Sequence, residues 1–247
     1  MRKLSIIIPV FNEKNTIYEV LVKVTSVNLQ NDIEKEIIIV NDNSTDISRN
    51  EIERYIKSFP NNNVRLINHK VNVGKGGALH TGIKFATGDY TIIQDADLEL
   101  NPDEYKILIE PVLSGVGDIV YGSRFLNQKK QESSLSKSAN EFLTGLSNFV
   151  FNIHITDMET CYKLVPTSIF QSLILKEQRF GFEPEITAKL AKIKSLKWKE
   201  VPITYIPRTN IEGKKIGWKD GFRAIYCIVK YGWLTNYKSS VKSNGNA

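Results

Sequence analysis

Cysteine is scarce in this chain. Only Cys161 and Cys227 are present, far apart and outside any metal-ligand spacing. That excludes a disulfide framework and a zinc finger and suits a reducing, cytoplasmic compartment. Long apolar runs are missing as well. No segment reaches the ~20 apolar residues that cross a bilayer, and the best candidate, Ala224 to Leu234, is short and carries Lys230. The amino end, Met1-Arg2-Lys3 running into Leu4-Ser5-Ile6-Ile7-Ile8-Pro9, has too short an apolar run for a signal peptide and reads as a first strand. A soluble protein is expected. Internal repeats and low-complexity linkers are also lacking. The net charge is +6, but no zinc-finger spacing or aromatic ribonucleoprotein signature accompanies it, so nucleic acid is not an expected partner. The basic balance suits a phosphorylated substrate, an anionic membrane surface or a plain solvated face.

What is present is an alternation of strand and helix patterns over the first half. Strand-like runs are Ser5–Val10, Glu36–Val40, Val64–Asn68, Tyr90–Gln94 and Asp118–Gly122, each rich in Ile or Val. Between them, Ile17, Val20, Leu21 and Val24 share one helical face, as do Ile52, Ile56 and Phe59, and then Leu79, Gly82, Ile83 and Ala86. Short connections between such elements demand a mostly parallel open α/β sheet with right-handed crossovers and helices on both faces. The second half is less regular. It holds a broadly apolar helix over Leu135–Asn152, a helix over Glu183–Ile193, an extended Leu196–Ile206 and an aromatic helix over Gly217–Trp233. Gln128–Ser138 reads as a mobile loop and Lys238–Ala247 as a frayed tail, leaving one domain over 1–237.

The fourth strand ends in Gln94-Asp95-Ala96-Asp97-Leu98-Glu99. In an open parallel sheet, ligands bind beyond the carboxyl ends of the strands. Hard carboxylate oxygens there suit a divalent cation that also holds phosphate oxygens, although two aspartates after a strand also serve as turn and cap residues. The first strand ends Pro9-Val10-Phe11-Asn12-Glu13 and the second Val40-Asn41-Asp42-Asn43-Ser44-Thr45-Asp46, on the same edge. Asp42 can accept from a base N–H and the Phe11 ring can cover the base, so this edge suits a nucleotide; helix capping is the competing role for Asp42, Ser44 and Asp46. The run Asn72-Val73-Gly74-Lys75-Gly76-Gly77-Ala78 lacks the ending and spacing of a P-loop, which excludes an ordinary NTPase. Its glycines are expected to let a tight turn pack against the sheet. His69, His80 and His154 share no face with the acidic cluster and read as structural.

In order along nearly the whole chain, these blocks resemble the family 2 glycosyltransferases of GT-A fold, and within them the dolichyl-phosphate mannosyltransferase-like branch. The resemblance continues through Gly122-Ser123-Arg124-Phe125, Thr156-Asp157-Met158-Glu159-Thr160-Cys161-Tyr162-Lys163, Phe182-Glu183-Pro184-Glu185-Ile186, Val201-Pro202-Ile203 and Gly213-Lys214-Lys215-Ile216. It implies a Rossmann-like nucleotide-sugar-binding half over 1–125 and an acceptor half over 126–237. By motif position, Pro9, Phe11, Glu13, Asp42 and the triplet Asp95-Ala96-Asp97 would contact the nucleotide sugar. Asp95 and Asp97 would hold Mg2+ or Mn2+ against its diphosphate, with Glu99 either a third ligand or a helix cap where the family often has Gln.

The reaction so implied is inverting transfer of a hexose from a UDP- or GDP-sugar. Arg124 would neutralise the leaving diphosphate or an acceptor phosphate; a salt bridge to a nearby carboxylate is its alternative role. Asp157 matches the family's acceptor-side acid, with Glu159 the competing candidate base. A polyprenyl-phosphate acceptor is already anionic and makes a base less important, leaving Asp157 to orient the acceptor or a basic neighbour. Arg208, Lys214 and Lys215 would then clamp the lipid phosphate, and peripheral membrane contact or a membrane partner would supply attachment. The alternatives are a soluble transferase acting on a saccharide hydroxyl in cell-surface polysaccharide synthesis and, more remotely, a sugar nucleotidyltransferase.

Overall fold

A computed structural model describes residues 1–126, 135–207, 218–236 and 240–241. Among the described residues, seven strands form one sheet in the order β3-β2-β1-β4-β6-β5-β7. They are β1 (Lys3–Val10), β2 (Glu34–Asn41), β3 (Val64–Asn68), β4 (Tyr90–Ile93), β5 (Ile119–Ser123), β6 (Lys163–Pro166) and β7 (Trp198–Pro202). β1 pairs in parallel with β2 and β4, β2 with β3, and β5 with β7. β6 alone runs antiparallel, wedged between β4 and β5. This is the mostly parallel α/β sheet that the sequence pattern predicts.

Helices cover both faces, and β2 records why its run is apolar throughout. Ile37 and Ile39 join the main core with Ile17, Val20 and Leu21 of α1 (Ile17–Ser26) and Ile52 of α2 (Ser48–Ser58). Ile38 and Val40 point the other way, onto Ala78 of α3 (Lys75–Phe85) and Ala86. A strand buried on both faces has no polar positions to alternate. Gly82 of α3 is required by this packing, because a Cβ there would collide with Ile7 of β1.

Three elements were not expected: α4 (Tyr105–Leu113), which tolerates Pro111, then β6 and the short α6 (Thr167–Ser172). The broadly apolar helix is α5 (Leu135–Phe151), so the expected loop at Gln128–Ser138 ends where that helix begins; the rest of it, 128–134, lies outside the described residues. The remaining helices are α7 (Phe182–Ala191) and α8 (Trp218–Trp233). Of the expected frayed tail, Ser240 and Val241 are described and both are anchored: Ser240 is buried, its carbonyl accepts the Ile174 N–H at 2.9 Å, and Val241 bridges Leu173.

Candidate active site

Parallel strands β1, β2 and β4 present their carboxyl ends on one edge, and β6, running the other way, delivers its leading loop to that same edge. The loop after β1 turns at Asn12, which has φ 55°, a left-handed conformation that asparagine tolerates. Its side-chain oxygen accepts the Thr45 N–H at 2.8 Å, locking the β1 turn to the β2 turn. Pro9, Phe11 and Glu13 are half-buried along this seam. The Glu13 carboxylate takes the Thr16 hydroxyl at 3.1 Å, and that hydroxyl also reaches the Ala96 carbonyl at 2.8 Å. The first loop thereby touches the acidic triplet directly.

Asp42 is buried and already well supplied with donors. It accepts His69 Nδ1 at 2.8 Å and the backbone N–H groups of Val73 and Gly74 at 2.9 and 2.7 Å. It thus anchors the glycine turn, while His69 passes a second bond to Thr81 at 2.9 Å. The run meets the sheet through Asp42 and Ala78, but its glycines do not face it. Gly74 has φ 93°, and a Cβ on it would sit 2.6 Å from the Gln178 carbonyl oxygen, so the glycines serve close approach to the 177–179 backbone.

Lys75, the first residue of α3, closes an ion pair with Asp95 at 2.6 Å. Burial pulls its ammonium down, but the charge and hydrogen bond of Asp95 together with other nearby negative groups, Glu183 among them, outweigh that and hold its pKa above the ordinary lysine value. Gln94, fully buried at the end of β4, accepts the Tyr105 and Tyr162 hydroxyls at 2.6 and 2.7 Å and donates to the Asp95 carbonyl at 3.0 Å. Sequence reasoning assigned Gln94 no role; its signal was an amide closing an apolar strand. Asp97 accepts the Glu99 N–H at 3.2 Å.

Asp95 and Asp97 offer hard, partly accessible oxygens, a donor set that fits Mg2+ or Mn2+. Glu99, the third expected ligand, is engaged elsewhere in this structure. Its carboxylate accepts the Tyr205 hydroxyl at 3.1 Å, and among the described residues no three His, Cys, Asp or Glu side chains are placed to hold a metal ion together.

The opposite wall is built on Arg124. Its guanidinium grips Asp157 as a fork, Nε to Oδ2 at 2.7 Å and a terminal nitrogen to Oδ1 at 2.8 Å, and its backbone N–H reaches Oδ2 at 3.1 Å. The Asn140 amide adds a fourth bond to this fully buried carboxylate at 3.2 Å. Burial lowers the Arg124 pKa, but the Asp157 bonds and charge outweigh it and hold the guanidinium above its ordinary value. The Tyr205 and Phe125 rings flank the guanidinium with centroids 5.1 and 5.5 Å away. Glu200 receives the N–H groups of Thr156 and Asp157, which fixes the loop before β6.

Behind Asp157 the polar groups are short of partners. Lys163 pairs with Glu183 and donates to the Thr160 carbonyl, all in the interior. Glu159 Oε1, Glu183 Oε1 and Thr160 Oγ1 are buried without a hydrogen-bond partner. Burial, reinforced by the Glu183 charge, pushes the Glu159 carboxyl up to about 7. Arg208, Lys214 and Lys215, the expected phosphate clamp, lie outside the described residues.

Residues 5–174 match the model of glycosyl transferase family 2. A dolichyl-phosphate beta-glucosyltransferase of Trichomonas vaginalis is 29% identical over 229 residues, covering 86% of this chain and 68% of that protein. A dolichol-phosphate mannosyltransferase of Pyrococcus furiosus is 28% identical over 237 residues, covering 93% of this chain and 64% of its own length. In fold, the chain is similar to glucosyl-3-phosphoglycerate synthase of Mycobacterium tuberculosis, solved with Mn2+, UDP and phosphoglyceric acid. There the TM-score is 0.71 at 17% identity, over 95% of this chain and 80% of the other. The architecture is thus of the GT-A type, and the chain belongs to glycosyl transferase family 2.

Proposed function

We propose that this chain transfers a hexose from a UDP- or GDP-sugar to a polyprenyl phosphate with inversion at the anomeric carbon. The observation that carries the reading is the meeting of the Asp95-Ala96-Asp97 loop and the Arg124–Asp157 pair on one sheet edge, joined through Gln94 and Tyr162. The named activities of the Trichomonas and Pyrococcus relatives support the acceptor class. A single GT-A unit over 1–237 is part of the proposal, with the donor held by 1–125 and the acceptor by 126–237.

Pro9, Phe11, Glu13 and Asp42 would line the nucleotide, with Asp42 acting through the turn it anchors. Asp95 and Asp97 would hold Mn2+ or Mg2+, which when bound neutralises charge growing on the departing diphosphate. An acceptor phosphate oxygen attacks the anomeric carbon opposite the diphosphate, one C–O bond forming as the other breaks. Arg124 is the fixed cation of that step. Because Asp157 already accepts from Arg124 and Asn140, it holds the guanidinium in place, and an anionic acceptor needs no base.

No helix among the described residues is long and apolar enough to cross a membrane. The proposal includes peripheral contact at the cytoplasmic face of a membrane; membrane contact as such is supported by the outer stripe of α8, where Phe222, Tyr226 and Trp233 stand exposed beside Arg223 and Lys230. Phe149 of α5 extends it, its ring 6.2 Å from that of Trp233. Aromatic and basic side chains on one helix face suit an anionic lipid interface.

A second reading, transfer to a saccharide hydroxyl, draws on Glu159, whose raised pKa suits a general base near neutral pH. One panel separates the two: UDP- and GDP-sugars with Mn2+, Mg2+ or EDTA, with and without a short polyprenyl phosphate. Metal-dependent turnover only with the lipid phosphate is the expected result. Donor stabilisation without lipid-dependent turnover would transfer the case to saccharide acceptors, and no response to any donor would refute both.

A further inference from the structure

Among the described residues, the segment between α6 and α7 is tied to other backbone at its start, by the Leu173–Val241 bridge and the Ile174–Ser240 bond, and it is the surface on which the glycine turn rests. Two side chains fix it from opposite sides. From α7, the Glu185 carboxylate accepts the Lys176 and Glu177 N–H groups at 2.9 and 2.7 Å, itself paired with Lys189 at 2.5 Å. From the segment, the buried Glu177 carboxylate reaches α8. It accepts the Arg223 fork at 2.9 Å on both oxygens and the Tyr231 hydroxyl at 2.8 Å.

The carbonyls of the same segment meet α3. That helix has no side-chain cap at its amino end, so its first N–H groups need an outside acceptor. The Gln178 carbonyl takes the Gly77 N–H at 3.0 Å. Gly74 and Gly76 leave room for it: a Cβ on Gly74 would stand 2.6 Å from the Gln178 oxygen, and one on Gly76 would strike the Glu177 oxygen. The residue enclosed by these glycines is Lys75, which pairs with Asp95 at 2.6 Å. A continuous run of bonds therefore leads from α8 to the acidic triplet.

We infer that Glu177 is a positioning residue for the donor site: by tying the Lys176–Arg179 segment to α8, it seats the first turn of α3 and aims Lys75 at Asp95. The inference rests on reading the Asp95 edge as the donor site. Glu177 itself touches none of the residues proposed to meet donor or metal. Its loss releases the segment toward α8, the Gly77 N–H loses a fixed acceptor, and Lys75 no longer holds one orientation. The effect falls on donor binding ahead of the chemical step, because the Arg124–Asp157 wall is built from β5 and the loop before β6.

The experiment compares the wild-type protein with Glu177→Ala, Glu177→Gln and Arg223→Gln in three measurements. They are amide hydrogen exchange over 74–79, binding of UDP and GDP with Mn2+, and steady-state KM and kcat for the donor that turns over. Losing bonds to a charged group predicts that Glu177→Ala speeds Gly77 exchange and weakens nucleotide binding roughly tenfold, with kcat at saturating donor within about twofold. Glu177→Gln, which keeps an acceptor for Tyr231, recovers most of the loss. Arg223→Gln, which changes a half-exposed side chain and leaves Glu177 its Tyr231 donor, moves the same quantities in the same direction by less. Unchanged Gly77 exchange and nucleotide affinity in folded Glu177→Ala would overturn the inference, as would a fall in kcat with KM unmoved. Should Glu177→Ala fail to fold, unchanged values in Arg223→Gln would overturn it equally. Wild-type protein that binds neither UDP nor GDP would overturn the donor-site reading instead, while Gly77 exchange still decides whether Glu177 seats the turn.

Discussion

Glu159→Gln is the substitution whose consequence the structure sets most sharply. The wild-type carboxyl has one oxygen buried without a partner and sits near the charge of Glu183, so its proton is held until about pH 7 instead of the ordinary 4.5. That difference corresponds to about 3 kcal/mol. The sign follows from which state holds the proton more tightly. The folded state does, so the stability linked to this proton is complete below about pH 4.5 and is lost as pH rises through about 7. Glutamine stays neutral at every pH and escapes that loss. Glu159→Gln should match the wild-type protein near pH 4.5 and exceed it at pH 8 by up to about 3 kcal/mol, or about 6–12 °C in Tm for a chain of this size. Urea and thermal unfolding of both proteins between pH 4.5 and 8.5 provide the assay, the difference between them cancelling every other titrating group. A difference that stays flat with pH, or that favours the wild-type protein as pH rises, refutes the placement of this carboxyl.

Asp97→Asn should lower Mn2+-dependent turnover by about a hundredfold or more while leaving the circular dichroism melt unchanged; near-normal activity would remove Asp97 from the metal assignment. Arg124→Ala strands the buried Asp157 carboxylate and should cost about 3–5 kcal/mol in urea unfolding, with Arg124→Lys losing less. A loss below about 1 kcal/mol for Arg124→Ala would mean the pair lies on the surface. Gly76→Ala places a methyl against the Glu177 carbonyl oxygen and should destabilise by about 1–3 kcal/mol, opposing the helix propensity alanine adds. A rise in Tm for that variant would show that the glycine turn and the 177–179 backbone are not in contact.

The elements legible in the sequence are those whose partners lie close by. β1 and β2 announce themselves as continuous apolar runs around Ile6 and Ile38, α1 by the helical period around Leu21, and the strand end at Asp95 follows from an apolar run stopping at carboxylates. β6 has only four residues and includes a lysine. Lys163 is tolerated inside because Glu183 of α7 and the Thr160 carbonyl meet it, and the pairing with Glu183 is one that no local pattern reveals. The same holds for the site. Arg124 and Asp157 are visible as motif residues, and the salt-bridge alternative for Arg124 is realised in its grip on Asp157. Asp42 stands where the turn pattern places it, but its saturation by His69, Val73 and Gly74 depends on the loop after β3, two elements further along the chain. The run's tie to the sheet is legible, whereas the contact of its glycines with 177–179 is not, because that segment is irregular backbone with no signature of its own.

The reversed strand β6 has a consequence for how such an enzyme diversifies. Because it enters the sheet against the grain, its leading loop meets the triplet from the far side, so the chain joining β5 to β6 leaves the active edge and returns to it. Residues inserted along that excursion lengthen a detour without shifting either end. On the proposed assignment of donor and acceptor walls, acceptor recognition would be re-tailored by exchange of the intervening stretch, while Gln94 and its two tyrosines hold the Asp95 loop to the loop before β6. One donor apparatus can in this way serve successive acceptors over the history of a lineage.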